Sequence, residues 1–195
     1  AKDLHSGFDW VIDATHPFAV EISSNLQEAC YEFGQSLIRF ERPLEKPPGT
    51  YLIEDWKELS THSFQGRNVL MALGARHLRE AVFVVHQARA KVFARVLPNP
   101  ESLKQALKSQ VAECDIAVLR PLQGNSIGEF EKALCRRWSI SDVVSRQSGG
   151  ATQQLWQEIC KDENIDLWLI ARPDLVSGVE VVNTINGVLN KISEF

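Results

Sequence analysis

The sequence predicts an α/β protein in which mostly parallel strands are flanked by helices, and three observations carry that prediction. Short apolar runs alternate with helical patterns along the 195 residues, as expected of βα units around a parallel sheet. Residues 42–49 include Pro43, Pro47, Pro48 and Gly49, a composition that breaks regular structure and marks a linker between two lobes. Arginine recurs at or near the carboxyl ends of the predicted strands, at Arg39, Arg95, Arg120, Arg146 and Arg172, and the last three are spaced 26 residues apart.

The first strand, residues 10–13, is an apolar run that empties into the polar turn Ala14-Thr15-His16. Pro17 then suits the first turn of a helix over 18–33, where its missing N–H would be an orphan anyway. Further strands are expected at 36–40, 68–73, 91–97, 115–119, 142–145 and 166–171, each a short apolar or β-branched run. Helices are expected between them at 56–64, 77–88, 100–108, 127–138 and 153–162, where apolar residues recur at helical spacing.

Composition narrows the class. With 44% hydrophobic and 24% charged residues the chain reads as an ordinary soluble globular protein. No apolar run approaches the roughly 20 residues of a membrane span, and no signal peptide is visible. The formal charge of -4 speaks against nucleic acid, whose partners carry a basic surplus. Cys30, Cys114, Cys135 and Cys160 lie far apart without the close pairs of zinc sites, so they read as buried thiols in a reducing cytoplasm, with no structural metal. His5, His62, His77 and His86 show no metal-pair spacing and read as solvated or packing residues. A cytoplasmic monomer or weak homodimer is expected.

In a parallel sheet, ligands bind beyond the carboxyl ends of the strands, where the following helix turns N–H groups and partial positive charge towards the crevice. Asp13, Thr15 and His16 therefore project into the mouth of a site as acceptor, hydroxyl and imidazole. The same residues would also serve as a helix cap and a turn brace. Guanidinium groups grip carboxylates and phosphates through paired hydrogen bonds, so a row of arginines predicts a ligand with several negative groups. Two turns offer further anion seats: Gly74-Ala75-Arg76 after the 68–73 strand, and Arg146-Gln147-Ser148-Gly149-Gly150, whose glycines admit close backbone approach.

The run Asp13-Ala14-Thr15-His16-Pro17-Phe18-Ala19, followed by Ile22-Ser23-Ser24-Asn25 and Ala29-Cys30, resembles the signature of the precorrin-6A reductases of cobalamin biosynthesis. Arg39, Arg42 and Pro43 resemble that family's Arg-x-x-Arg-Pro segment, residues 70–78 its strand with a Gly-Ser-Lys-like turn, and residues 93–98 its Arg-Val-Leu-Pro motif. Residues 143–149 resemble its Thr-Lys-x-Ser-Gly strand end, and 171–173 its final Arg-Pro. The resemblance covers essentially the whole chain. It implies two Rossmann-like lobes, with 1–45 the remainder of an N-terminal lobe left incomplete by the lack of an opening strand and Gly-Gly-Thr turn, and 46–195 a C-terminal α/β lobe.

The resemblance also implies chemistry: reduction of precorrin-6A or its cobalt form by NADPH or NADH, with hydride delivered to a conjugated carbon and a proton to its neighbour. The tetrapyrrole and the cofactor are both polyanions, so the implied binding set is Asp13, Thr15, His16, Ser23, Arg39, Arg42, Gly74, Arg76, Arg95, Arg120, Arg146, Ser148, Gly149 and Arg172, with His16 the nominated proton donor. The chain departs from the family at Arg146, where Lys is usual, at residues 151–154, and at residues 120–125, which do not follow a Gly-Pro-Phe pattern. Those departures leave two alternatives: a degenerate or truncated, non-catalytic tetrapyrrole-binding paralogue, and another α/β enzyme acting on a nucleotide-linked polyanion.

Overall fold

The computed structural model describes residues 8–44, 48–120 and 127–193. The chain divides into two compact units, 1–44 with 172–195, and 45–171. The first boundary falls in the predicted linker. The second differs from the expected single lobe over 46–195, because the last strand of the chain pairs with the first unit.

In the first unit, β1 (Val11–Asp13), β2 (Leu37–Phe40) and β9 (Glu180–Val182) form a wholly parallel sheet in the order β1-β2-β9. Helix α1 (Val20–Glu32) connects β1 to β2 and α6 (Ile185–Ser193) follows β9. Ile38 on the central strand is fully buried. Helix α1 begins later than expected, at N-cap Ala19, with no side-chain cap. The Ala19 N–H closes a turn on the His16 carbonyl at 2.7 Å, and Thr15 is engaged elsewhere.

The second unit holds six parallel strands in the order β3-β8-β7-β4-β5-β6: β3 (Thr50–Ile53), β4 (Asn68–Met71), β5 (Lys91–Val96), β6 (Ile116–Val118), β7 (Asp142–Arg146) and β8 (Asp166–Ile170). From β4 the chain steps outward through α2 (Leu78–Gln87) to β5 and through α3 (Pro100–Leu107) to β6. It then returns through α4 (Glu129–Arg137) to β7 on the other side of β4, and through α5 (Ala151–Glu163) to β8. The strand order therefore reverses between β4 and β7. In such sheets that reversal opens a crevice beyond the strand ends.

Burial follows the sequence pattern. Val69, Leu70 and Met71 on β4 are fully buried, as a central strand covered on both faces requires. Helix α2 buries Leu78, Ala81, Val82 and Val85, the i, i+3, i+4, i+7 stripe. On the face covered by α4 and α5, Leu70, Val143, Leu167 and Leu169 pack with Leu155, Trp156, Ile159 and Cys135. Helix α3 starts as its sequence dictates, with Asn99 Oδ1 accepting the Ser102 N–H at 2.8 Å and Pro100 in the first turn.

At the amino edge of this sheet Arg67 donates to Asp142 and Asp166, each at 2.5 Å, and Trp168 Nε1 donates to Asp142 at 3.0 Å. This brace joins β4, β7 and β8 at the end opposite the crevice. Three differences from the sequence reading stand out: strands β3 and β9 and helix α6 are additional elements, residues 56–61 form a 3-10 helix rather than an α-helix, and Cys114 is exposed while the other three thiols are buried. Among the described residues no helix is long and apolar enough to cross a membrane, and no cluster of metal-ligating side chains occurs.

Candidate functional site

The carboxyl edge of the first unit's sheet carries a buried ionic chain. Arg39, at the end of β2, donates through Nη1 to Asp13 at 2.8 Å and to Thr15 Oγ1 at 2.9 Å, and through Nε to Glu41 at 2.9 Å. It also reaches Ser23 Oγ and the Thr15 carbonyl at 3.2 Å. Glu41 in turn accepts from Arg172 Nη1 at 2.5 Å, and Arg172 donates onward to the Arg42 carbonyl at 2.7 Å. The series Asp13, Arg39, Glu41, Arg172 alternates in sign and sums to zero. Burial works against the charges of Asp13, Arg39 and Arg172, yet hydrogen bonds prevail at the first two. Despite burial, Ser23, Thr15 and Arg39 hold the Asp13 carboxyl below its usual range, while Glu41 and Asp13 hold Arg39 above its own.

In this geometry internal carboxylates engage the guanidinium groups of both Arg39 and Arg172, and Arg39, Asp13 and Ser23 also line a pocket of this unit. Glu41, the residue that makes the network close, is absent from the sequence-derived site; its only signal is a carboxylate two residues beyond Arg39. Thr15 and Ser23 serve the same network, with their hydroxyls 3.2 Å apart. Arg42 contributes its carbonyl. His16 stands outside it. The imidazole is exposed, and its Nδ1 accepts the Phe18 N–H at 3.2 Å.

In the second unit the β4/β7 reversal sets two predicted turns at neighbouring strand ends. Met71 pairs with Val144, and the Ala72 N–H donates to the Val144 carbonyl at 2.9 Å, so the turn after β4 opens beside Arg146. Gly74 adopts φ +81, which suits glycine, and a Cβ there would meet nothing within 4 Å. Arg76 is exposed on this turn. Burial and the like charge of Arg76 both weaken the hold of Arg146 on its proton. His77, stacked on Trp56 at a centroid distance of 4.8 Å, joins them at the start of α2. Burial, Arg146 and Arg76 keep its imidazole below the ordinary range against the opposing pull of Glu80.

The loop after β7 is tighter than its glycines suggest. Ser148 is buried, and its N–H donates to the Arg146 carbonyl at 2.8 Å. The Gly149 N–H, expected to face a ligand, is taken at 2.8 Å by Gln153 Oε1, a capping interaction that the glycine-rich reading missed. Arg95, at the end of β5, is also drawn inward. Its Nη2 reaches the buried Glu131 Oε1 at 3.4 Å, while Arg95 Nε and Glu131 Oε2 find no partner among the described residues. Arg120 is exposed past β6, two strands from the reversal, and the 121–125 part of the departing motif lies outside the described residues. Of the arginine row, Arg146 ends the strand that borders the reversal, where the like charge of Arg76 acts on it.

Comparison with known proteins agrees with the motif order. The family model described as Precorrin-6x reductase CbiJ/CobK matches residues 4–193. The chain is 34% identical over 191 residues to the cobalt-precorrin-6A reductase of Synechocystis sp., covering 95% of this chain and 69% of that protein. It is 29% identical over 190 residues to the cobalt-precorrin-6A reductase of Methanothermobacter thermautotrophicus, covering 93% of this chain and 61% of that one. A solved structure named CobK precorrin-6A reductase superposes with a TM-score of 0.75 at 25% identity, covering 97% of this chain and 75% of its own. A family-model match over residues 4–193 of this chain, joined to the structural match to CobK precorrin-6A reductase, means that the chain belongs to the precorrin-6x reductase family.

Proposed function

We propose that this chain reduces precorrin-6A, or its cobalt form, to the corresponding precorrin-6B in cobalamin biosynthesis, with NADPH or NADH as reductant. The observation that carries the reading is the strand-order reversal between β4 and β7, the place where α/β sheets take dinucleotides, with an open glycine turn after β4 and Arg146 at the end of β7. The residues fit such a cofactor: Gly74 leaves room for a phosphate to approach the backbone, and Arg76 and Arg146 supply charge of the right sign. When bound, the nicotinamide supplies the hydride.

The chain's own residues bind, orient and supply a proton. Arg76 and Arg146 hold phosphate oxygens. The ionic chain from Asp13 to Arg172 fixes the signature turn, and His16, in its imidazolium form, is the donor to the carbon beside the one reduced, leaving a neutral ring. The exposure of His16 allows a bulky substrate to reach it.

The test is anaerobic absorbance of the purified chain with cobalt-precorrin-6A and each nicotinamide cofactor in turn. Loss of reduced cofactor coupled to a change in the macrocycle spectrum is expected. Cofactor binding with no coupled change, under conditions where a full-length relative turns over, would instead favour a non-catalytic tetrapyrrole-binding paralogue.

A further inference from the structure

The stretch 173–179 returns the chain to β9 and is fixed at both ends. Before it, Arg172 Nη1 donates to Glu41 at 2.5 Å and to the Arg42 carbonyl at 2.7 Å. After it, Glu180 pairs with Ile38 and accepts from Lys191 Nζ at 2.7 Å. Between these anchors the polar hold among the described residues is one hydrogen bond, from Gln27 Nε2 on α1 to the Ser177 carbonyl at 2.8 Å. Pro173, Asp174, Leu175, Ser177 and Gly178 are exposed, while Val176 and Val179 are half-buried.

Space lies on both sides of the stretch. Asp174, Leu175 and Val176 border a pocket of about 390 Å³ that reaches Asp13, Ser23 and Arg39. Gly178 and Val179 border a second hollow of about 900 Å³ whose wall includes Gln27 and the buried Cys30. Close-packed interiors resist sliding, but a segment with room on either flank and one polar tether moves without forcing packed atoms past each other. Gly178, at φ +82, supplies beside the far anchor a backbone conformation that other residues rarely adopt.

We propose that residues 173–179 are a lid that swings between its anchors at Arg172 and Glu180, is latched by Gln27, and when open admits solvent to the Asp13–Arg39 pair and to the Cys30 thiol. Motions of this kind are absorbed by a few residues at the ends of elements. Closed, the lid keeps water from the ion pair beneath the signature turn, where a lower dielectric strengthens the attraction. The near anchor is itself a member of the ionic chain, so the lid and the signature turn share one support.

Native thiols read the motion. The wild-type chain is treated with N-ethylmaleimide and each cysteine is followed by peptide mass spectrometry. Cys114, exposed, sets the open-thiol rate, and Cys135 and Cys160, buried in the second unit, label only when that unit opens. Cys30 should label faster than Cys135 and Cys160, at a rate nearly independent of urea below the unfolding transition, because lifting a lid exposes little new surface. Gln27→Met, which removes the latch and keeps the length of the side chain, should speed Cys30 labelling by about fivefold and leave Cys135 and Cys160 unchanged. Cys30 labelling that is no faster than theirs, or that climbs with urea from the outset, would mean that the thiol is reached only by unfolding, and this overturns the lid whatever the variant does. An unchanged Cys30 rate in a folded Gln27→Met chain overturns it as well. Neither precorrin nor cofactor enters these measurements, so the lid and the proposed reduction stand or fall separately.

Discussion

Arg39 and Arg172 show how a side chain that looks like a ligand anchor becomes part of the scaffold. Each sits at the carboxyl edge where anions bind, and each is spent on Asp13 or Glu41. Removing one partner of a buried ion pair leaves an uncompensated charge, which typically costs about 3–5 kcal/mol. Arg172→Gln should therefore lower the thermal midpoint markedly, and equal melting of variant and wild type would return Arg172 to the binding set. Asp13 gives a pH signature. Its folded pKa lies below its unfolded one, so its contribution is fully present above the unfolded value and is lost as pH falls through the folded value. Thermal melts should lose this contribution only below about pH 4, and an Asp13→Asn variant should lack that part of the acid slope. Legibility at this scale was uneven. Asp13, Thr15 and Arg39 were legible as a strand-edge group, but their job depended on Glu41, whose partner Arg172 lies 131 residues away. Likewise the role of Gly149 was set by Gln153, whose side chain folds back onto the turn.

Elements with strong local patterns were the ones the sequence foretold. The apolar stripe of α2, the Asn-Pro start of α3 and the continuous apolar run of β4 need no distant partner to be recognised. Strands β3 and β9 went unread, and β3 directly follows a proline and glycine run. Their strand character comes from parallel neighbours remote in the chain, Thr50 beside Leu167 and Ile38 beside Glu180. The 3-10 helix at Trp56–Thr61 has helical spacing but only six residues, too few for an α-helix to repay its nucleation. Helix α5 tests the packing argument at this scale. Trp156 is 1% exposed against β7 and β8, so Trp156→Ala should cost about 3–5 kcal/mol, measured by denaturant unfolding, and a loss under about 1 kcal/mol would show that the helix is not anchored there.

The molecule as a whole is organised by interruption: the chain runs through part of the first unit, then through the second, and then returns to the first. Its stability should be uneven in consequence. Native-state hydrogen exchange should find the slowest amides on β4 and β7, at Leu70, Met71, Val143 and Val144, each buried between covered faces. Amides of the three-stranded sheet should open at lower free energy, and equal protection in both sheets would argue for one cooperative body. The pairing of β2 with β9 also bears on birth at the ribosome. As the chain emerges, β2 has β1 on one side and nothing on the other until the whole second unit has been synthesised. Its free edge is a ready acceptor for any stray strand, and the closing partner must cross a long sequence separation to reach it. The newborn protein should thus spend its most aggregation-prone interval with its second unit folded and its first still waiting.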